Sequence, residues 1–121
     1  MPRVLLVDNE VDVIETFQFV VEQSMADFDF VYAQSGYDAM QEIEQSKPDL
    51  VLTDYRMDQG DGASLAHYCN HQSISCVILT GFSASDVIPY VPEGTLVMKK
   101  LDILRQGRLK ELITSMISTA T

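Results

Sequence analysis

Short apolar runs and amphipathic stripes alternate along all 121 residues of this chain, and few folds accept that rhythm. Val4–Val7 is a continuous apolar run, as expected of a strand buried on both faces. Val13, Ile14, Phe17, Val20, Val21 and Met25 then recur at spacings of three and four, the stripe of an amphipathic helix. Phe28–Tyr32 reads as a second strand. Ser35, with Asp38 three residues on, starts a helix whose buried face is Ala39, Met40 and Ile43, and Pro48 stops it. Leu50–Thr53 is the third strand, residues 63–70 the third helix and Cys76–Leu79 the fourth strand. Residues 82–94 are the weak stretch: Pro89 and Pro92 forbid a long helix there and leave at most a short turn. Thr95–Met98 is the fifth strand. Asp102 is expected to cap a last helix with core face Leu109, Leu112, Ile113 and Met116, and Gly107 would fall inside it as a mild weakness. Five strand–helix units imply an α/β domain over residues 1–121, a parallel sheet with helices on both faces and right-handed crossovers. Periodicity alone leaves the strand order open.

Four polar residues stand at the C-terminal tips of these strands. Asp8 ends RVLLV, Asp54 ends DLVLT, Thr80 ends CVIL and Lys99 ends TLVM. In an open parallel sheet such tips converge on one crevice, where ligands bind. Two carboxylates, a hydroxyl and an ammonium there suit a divalent cation and a phosphoryl group. A carboxylate such as Asp54 can accept a phosphoryl group as an acyl phosphate, and that transfer runs on positioning and charge neutralisation. Small, hard Mg²⁺ prefers a few carboxylate and carbonyl oxygens, of which Asp8 supplies one. Lys99 suits pairing with Asp54 and then with a phosphoryl oxygen, and Thr80 offers that group a hydroxyl. Singly, each residue has a duller role: turn former, strand threonine, surface lysine. All four at strand ends carry the inference.

Charge narrows the partners. Eighteen acidic residues against eight basic give a formal net charge of −10. That argues against nucleic acid and anionic membrane, both of which demand a basic face. Cys69 and Cys76 form no metal-binding pair motif, and Cys76 reads as core. The longest apolar runs are strand-length and no signal peptide is visible, so a cytoplasmic setting is expected. His67 and His71 lie four apart on a predicted helix but lack a third ligand, and read as a solvated face.

The motifs together resemble the receiver domain of two-component response regulators. VLLVDNE resembles its first-strand acidic motif. DLVLTDYRMDQGDG resembles its phosphoacceptor segment, with Asp54, Met57, Asp61 and Gly62 in register, and VILTGF and VMKK match its hydroxyl- and lysine-bearing strand ends. The resemblance spans essentially the whole chain. It implies a flavodoxin-like (βα)5 sandwich of strand order 2-1-3-4-5, here with a shortened or irregular fourth helix. It implies Asp54 as the phosphoacceptor, aided by Thr80 and Lys99. Mg²⁺ would be held near Asp8 and Asn9, by Asp54, and by the backbone carbonyl of Arg56. The implied partners are a sensor histidine kinase or histidine phosphotransfer protein and a downstream output protein or fused output domain; whether a second copy joins in a homodimer is left open by the sequence. The domain would be a signalling switch that catalyses only its own phosphorylation and dephosphorylation.

Three departures from the family pattern stand out. The second of two adjacent acids after the first strand is Asn9, so weaker Mg²⁺ binding than in a fully acidic pocket is expected. Three residues before Lys99, where an aromatic is usual, stands Leu96. Lys100 follows Lys99 where a proline is usual, so no cis peptide is expected there. Asn9, Leu96 and the altered fourth helix motivate the alternative of a phosphorylation-independent pseudo-receiver acting as an interaction module. An aspartate-nucleophile phosphatase fits poorly, because Arg56 stands where that chemistry places its second acid.

Overall fold

The computed structural model describes residues 1–56, 61–81, 84–105 and 107–119. Strands β1 (Arg3–Val7), β2 (Asp29–Ala33), β3 (Leu50–Asp54), β4 (Ser75–Thr80) and β5 (Leu96–Lys99) alternate with helices α1 (Val11–Ser24), α2 (Gly36–Gln45) and α3 (Gly62–His71). A four-residue α4 (Ala84–Val87), a 3₁₀ turn (Ile88–Tyr90), α5 (Lys100–Ile103) and α6 (Arg108–Thr119) complete the described elements. All strand pairs are parallel and the order is β2-β1-β3-β4-β5, as the resemblance implies.

Residue parity assigns the helices to faces, because alternate strand side chains point to opposite sides of a sheet. Val4, Leu6, Leu50, Leu52, Val77 and Leu79 meet Phe17 of α1, Ile103 of α5, and Leu109, Leu112 and Ile113 of α6 on one face. Leu5, Val7 and Val51 meet Ala39 and Ile43 of α2, and Leu65 and Cys69 of α3, on the other. Farther along that second face, Ile78 packs with Ala66 of α3, Val87 of α4 and Val91. On β5, Met98 packs against the first face's cluster and Val97 against the second's.

Local chemistry explains most boundaries. Ser35 caps α2 by accepting the Asp38 N–H at 3.0 Å, and Asp61 caps α3 by accepting the Ser64 N–H at 2.7 Å. The expected weak stretch is short: its first two residues, 82 and 83, lie outside the described residues, and Pro89 sits in the first turn of the 3₁₀ segment. His67 and His71 are exposed on α3 as expected, but His67 is not wholly solvated, since its Nε2 lies 3.2 Å from the Tyr90 carbonyl oxygen of that turn. The expectation of one last helix capped by Asp102 is corrected. Asp102 lies inside α5, and Gly107 precedes α6 with φ of +77°. Glycine takes that left-handed conformation without the Cβ penalty, so the helix divides there. No described peptide bond is cis, and no described helix is long and apolar enough to cross a membrane.

Candidate functional site

Sheet register sets the site. Val7 pairs with Thr53 across β1 and β3, so Asp8 and Asp54 follow on one level at neighbouring strand ends, which in a parallel sheet are separated by about 4.8 Å. Asp54 is level with Leu79, so Thr80 lies one residue farther along β4, paired with Lys99 of β5. Thr80 is buried at 1 % exposure. Asn9 is half-buried beside Asp8, and Arg56 is exposed after Asp54. Met57, the next residue of the phosphoacceptor motif, lies outside the described residues.

Lys99 does not enter the pocket; Lys100 does. Lys99 is exposed, whereas the Lys100 Nζ lies 2.7 Å from Asp8 Oδ2 and 3.4 Å from Asp54 Oδ1. Strand parity gives the reason. Lys99 continues the side of Val97, facing α3 and α4, while Lys100 continues the side of Met98. Asp8 follows Leu6, and Asp54 follows Leu52, on that same side. The departures shift with the lysine: Val97 is the residue three before Lys100, and Leu101 is the one that follows it. Neither an aromatic nor a proline is restored.

Each carboxylate is held in more than one way. Asp8, the one buried charged residue among the described residues, accepts the Glu10 N–H at 2.9 Å as well as the Lys100 ammonium. The duller role of turn former is thus also real. Asp54 accepts the Tyr55 N–H at 2.8 Å. Burial pushes the Asp54 carboxyl above its ordinary pKa; Lys100 pulls it back, and the Asp8 charge adds to the rise. For Lys100, burial pulls the pKa down, but the hydrogen bond to Asp8 and the charges of Asp54 and Asp8 outweigh it, leaving a net rise.

The loop after β3 closes tightly. The Gly62 N–H donates to the Tyr55 carbonyl at 2.7 Å. A Cβ on Gly62 would fall on the Asp54 carbonyl oxygen and within 2.9 Å of Tyr55 Cα. Only glycine lets α3 start this close to the strand end.

The donor set fits a small hard cation. Two carboxylates and the Asn9 amide offer oxygen ligands only, and Mg²⁺ is commonly held by one or two carboxylates with water completing its shell. Among the described residues no cluster of three or more His, Cys, Asp or Glu gathers as a metal cage. A cavity of about 310 Å³ is not this site: it opens at the other end of the strands, lined by Asn70, Ser75, Cys76, Thr95 and Leu96.

Comparison with known proteins points the same way. The fold superimposes on a signal receiver domain from Vibrio parahaemolyticus with a TM-score of 0.83 and 25 % identity, covering 98 % of this chain and 92 % of that one. It superimposes on the response regulator protein TrrA of Thermotoga maritima, solved in complex with Mg²⁺-BeF, with a TM-score of 0.77 and 22 % identity over 96 % of this chain and 99 % of TrrA. Among curated relatives, the alkaline phosphatase synthesis transcriptional regulatory protein PhoP of Bacillus subtilis is 29 % identical over 77 residues, 64 % of this chain and 31 % of PhoP. The transcriptional regulatory protein HptR of Staphylococcus aureus is 29 % identical over 95 residues, 78 % of this chain and 36 % of HptR. The matched stretch therefore covers only about a third of the length of these relatives. The family model ends at residue 96, short of both lysines. It matches residues 4–96, from β1 to the first residue of β5, and the chain belongs to the response regulator receiver domain family.

Proposed function

We propose that this chain is the phosphoacceptor of a two-component signalling system. Asp54 takes a phosphoryl group from the phosphohistidine of a sensor kinase or histidine phosphotransfer protein. An Asp54 carboxylate oxygen attacks phosphorus, the P–N bond breaks, and its electron pair leaves with the imidazole nitrogen. Asp8, Asn9, Asp54 and the Arg56 backbone carbonyl are the ligands for Mg²⁺, which when bound neutralises charge on the phosphoryl oxygens. Thr80 gives its hydroxyl to one phosphoryl oxygen, and Lys100, in the role expected of Lys99, gives its ammonium to another. Beyond this self-directed transfer and the later hydrolysis of the acyl phosphate, in which water takes the phosphoryl group as inorganic phosphate and frees the Asp54 carboxylate, the domain is a switch and not an enzyme acting on other substrates.

The observation that carries the reading is the level pair of Asp8 and Asp54 at adjacent strand ends, bridged by one ammonium. The relatives are transcriptional regulators about twice as long as this chain, which supports a separate or fused output domain; a homodimer and a cytoplasmic setting belong to the same reading. Incubation with Mg²⁺ and acetyl phosphate should give a hydroxylamine-labile adduct that Asp54→Asn abolishes. An adduct surviving that substitution, or none at millimolar Mg²⁺, overturns the reading. The second reading, a phosphate-independent interaction module, is favoured by Asn9 and by the four-residue α4; it predicts partner binding unchanged by the same treatment.

A further inference from the structure

At the end of the sheet away from Asp54, the two cysteines meet. Cys69 lies in the last turn of α3 and Cys76 is the second residue of β4. Cys76 is level with Val51, and so points to the face on which Val51, Leu65 and Cys69 pack together. The turn between the cysteines folds back on its own helix: the Cys69 carbonyl accepts the Gln72 N–H at 3.1 Å and the Ile74 N–H at 2.8 Å. Cys76 follows two residues later, and its S–H donates a hydrogen bond to the Cys69 sulfur. The two sulfurs differ in access. Cys69 is wholly buried. Cys76, read from the sequence as core, is half-buried and lines the cavity of about 310 Å³ together with Asn70, Ser73, Ser75, Glu93 and Thr95. Those polar walls admit a small hydrophilic molecule to one sulfur, with the second in contact behind it.

We propose that Cys76 and Cys69 form a reversible dithiol switch, in which hydrogen peroxide entering the cavity oxidises Cys76 and Cys69 then closes a disulfide. Redox-responsive cysteines are accessible sulfurs set beside a resolving thiol, and this pair has that arrangement. The hydrogen bond holds Cys69 below its ordinary pKa against the effect of burial, and with burial it holds Cys76, the donor, above. The pair thus loses its first proton through Cys69. When the remaining proton passes along the bond to Cys69, the anion stands on the sulfur that faces the cavity. The Cys76 thiolate attacks one peroxide oxygen; the O–O bond breaks, and hydroxide leaves and takes up the proton first lost from the pair, as water. The Cys69 sulfur then attacks the Cys76 sulfenic sulfur, the S–O bond breaks, and the departing hydroxide carries off the Cys69 proton as a second water. Two thiols give up two electrons and one peroxide becomes two waters. The disulfide ties the end of α3 to the start of β4 across six intervening residues, and a dithiol reductant reopens it by exchange.

Free thiols counted by alkylation, after the folded chain has met hydrogen peroxide and then been denatured, test the switch. In the wild type both thiols should disappear together, the chain should run as a monomer on a non-reducing gel, and dithiothreitol should restore both. Retention of both thiols, loss of one alone, loss that dithiothreitol does not reverse, or a disulfide-linked dimer overturns the proposal. That count needs no substitution, so it stands however the variants fold. The variants then test the order of events. Cys69→Ser keeps the accessible sulfur without its resolving partner, and should stall at a sulfenic acid that dimedone captures on Cys76. Cys76→Ser leaves only the buried thiol, which should be lost about tenfold more slowly than the wild-type pair. No dimedone label on Cys76 in the first variant, or loss of Cys69 at the wild-type rate in the second, overturns the assignment of Cys76 as the sulfur that meets the oxidant.

Discussion

Asp54 is held at the end of β3 with its carboxyl pushed above the ordinary pKa, chiefly by burial. The folded chain therefore binds that proton more tightly than the unfolded chain does. The stability this brings is fully present below the ordinary carboxylate pKa and is lost as pH rises through the raised folded value. At neutral pH the ionised group costs stability. Asp54→Asn should raise Tm at neutral pH by a few degrees, and the gain should vanish below the ordinary carboxylate range; a thermal-melt series across pH checks this. Lys100 works in the opposite sense. Replacing it with methionine leaves Asp8 buried without its ammonium. The expected loss is about 2 kcal/mol, discounted from a fully buried pair because the Lys100 side chain is 16 % exposed; denaturant unfolding of Lys100→Met measures it. Lys99→Met should change almost nothing, since its charge is exposed.

At the scale of elements, the start of α3 is pressed against the end of β3, and Gly62 is where they touch. Any β-carbon there must displace the backbone of Asp54 or Tyr55. Gly62→Ala should cost about 1–3 kcal/mol of stability through overpacking. It should also slow acetyl phosphate labelling of Asp54 by roughly tenfold or more, because small displacements of a reacting group are expensive. Labelling at the wild-type rate would show that the strand end is not set by this contact. The same scale explains the division between α5 and α6. The sequence pattern of Leu109, Leu112 and Ile113 continues a helical stripe, yet the positive φ of Gly107 interrupts the backbone just before it. Side-chain periodicity does not report backbone handedness, so the stripe alone could not locate that break.

For the whole molecule, a net charge of −10 means self-repulsion in the compact state. Raising ionic strength from about 0.02 M to about 0.2 M shortens the screening length to well under the domain diameter. Tm should rise by a few degrees over that range, and a flat response would show that the carboxylates are already locally neutralised. The half-buried contacts of Lys100 with Asp8 and Asp54 are screened less than the surface charges, so the pocket should outlast the added salt. Continuous apolar runs and period-three-to-four stripes made the α/β class, the helix stripes and the strand tips legible before any coordinates, because strands buried on both faces demand unbroken apolar runs. Asp8, Asp54 and Thr80 could be named as site candidates because each is the polar residue directly after a predicted strand. Two adjacent lysines could not be told apart that way. Choosing Lys100 over Lys99 required knowing which face of the sheet Met98 and Val97 each cover. That is a property of how five strands and their helices pack together, and a one-residue step along an extended chain reverses it.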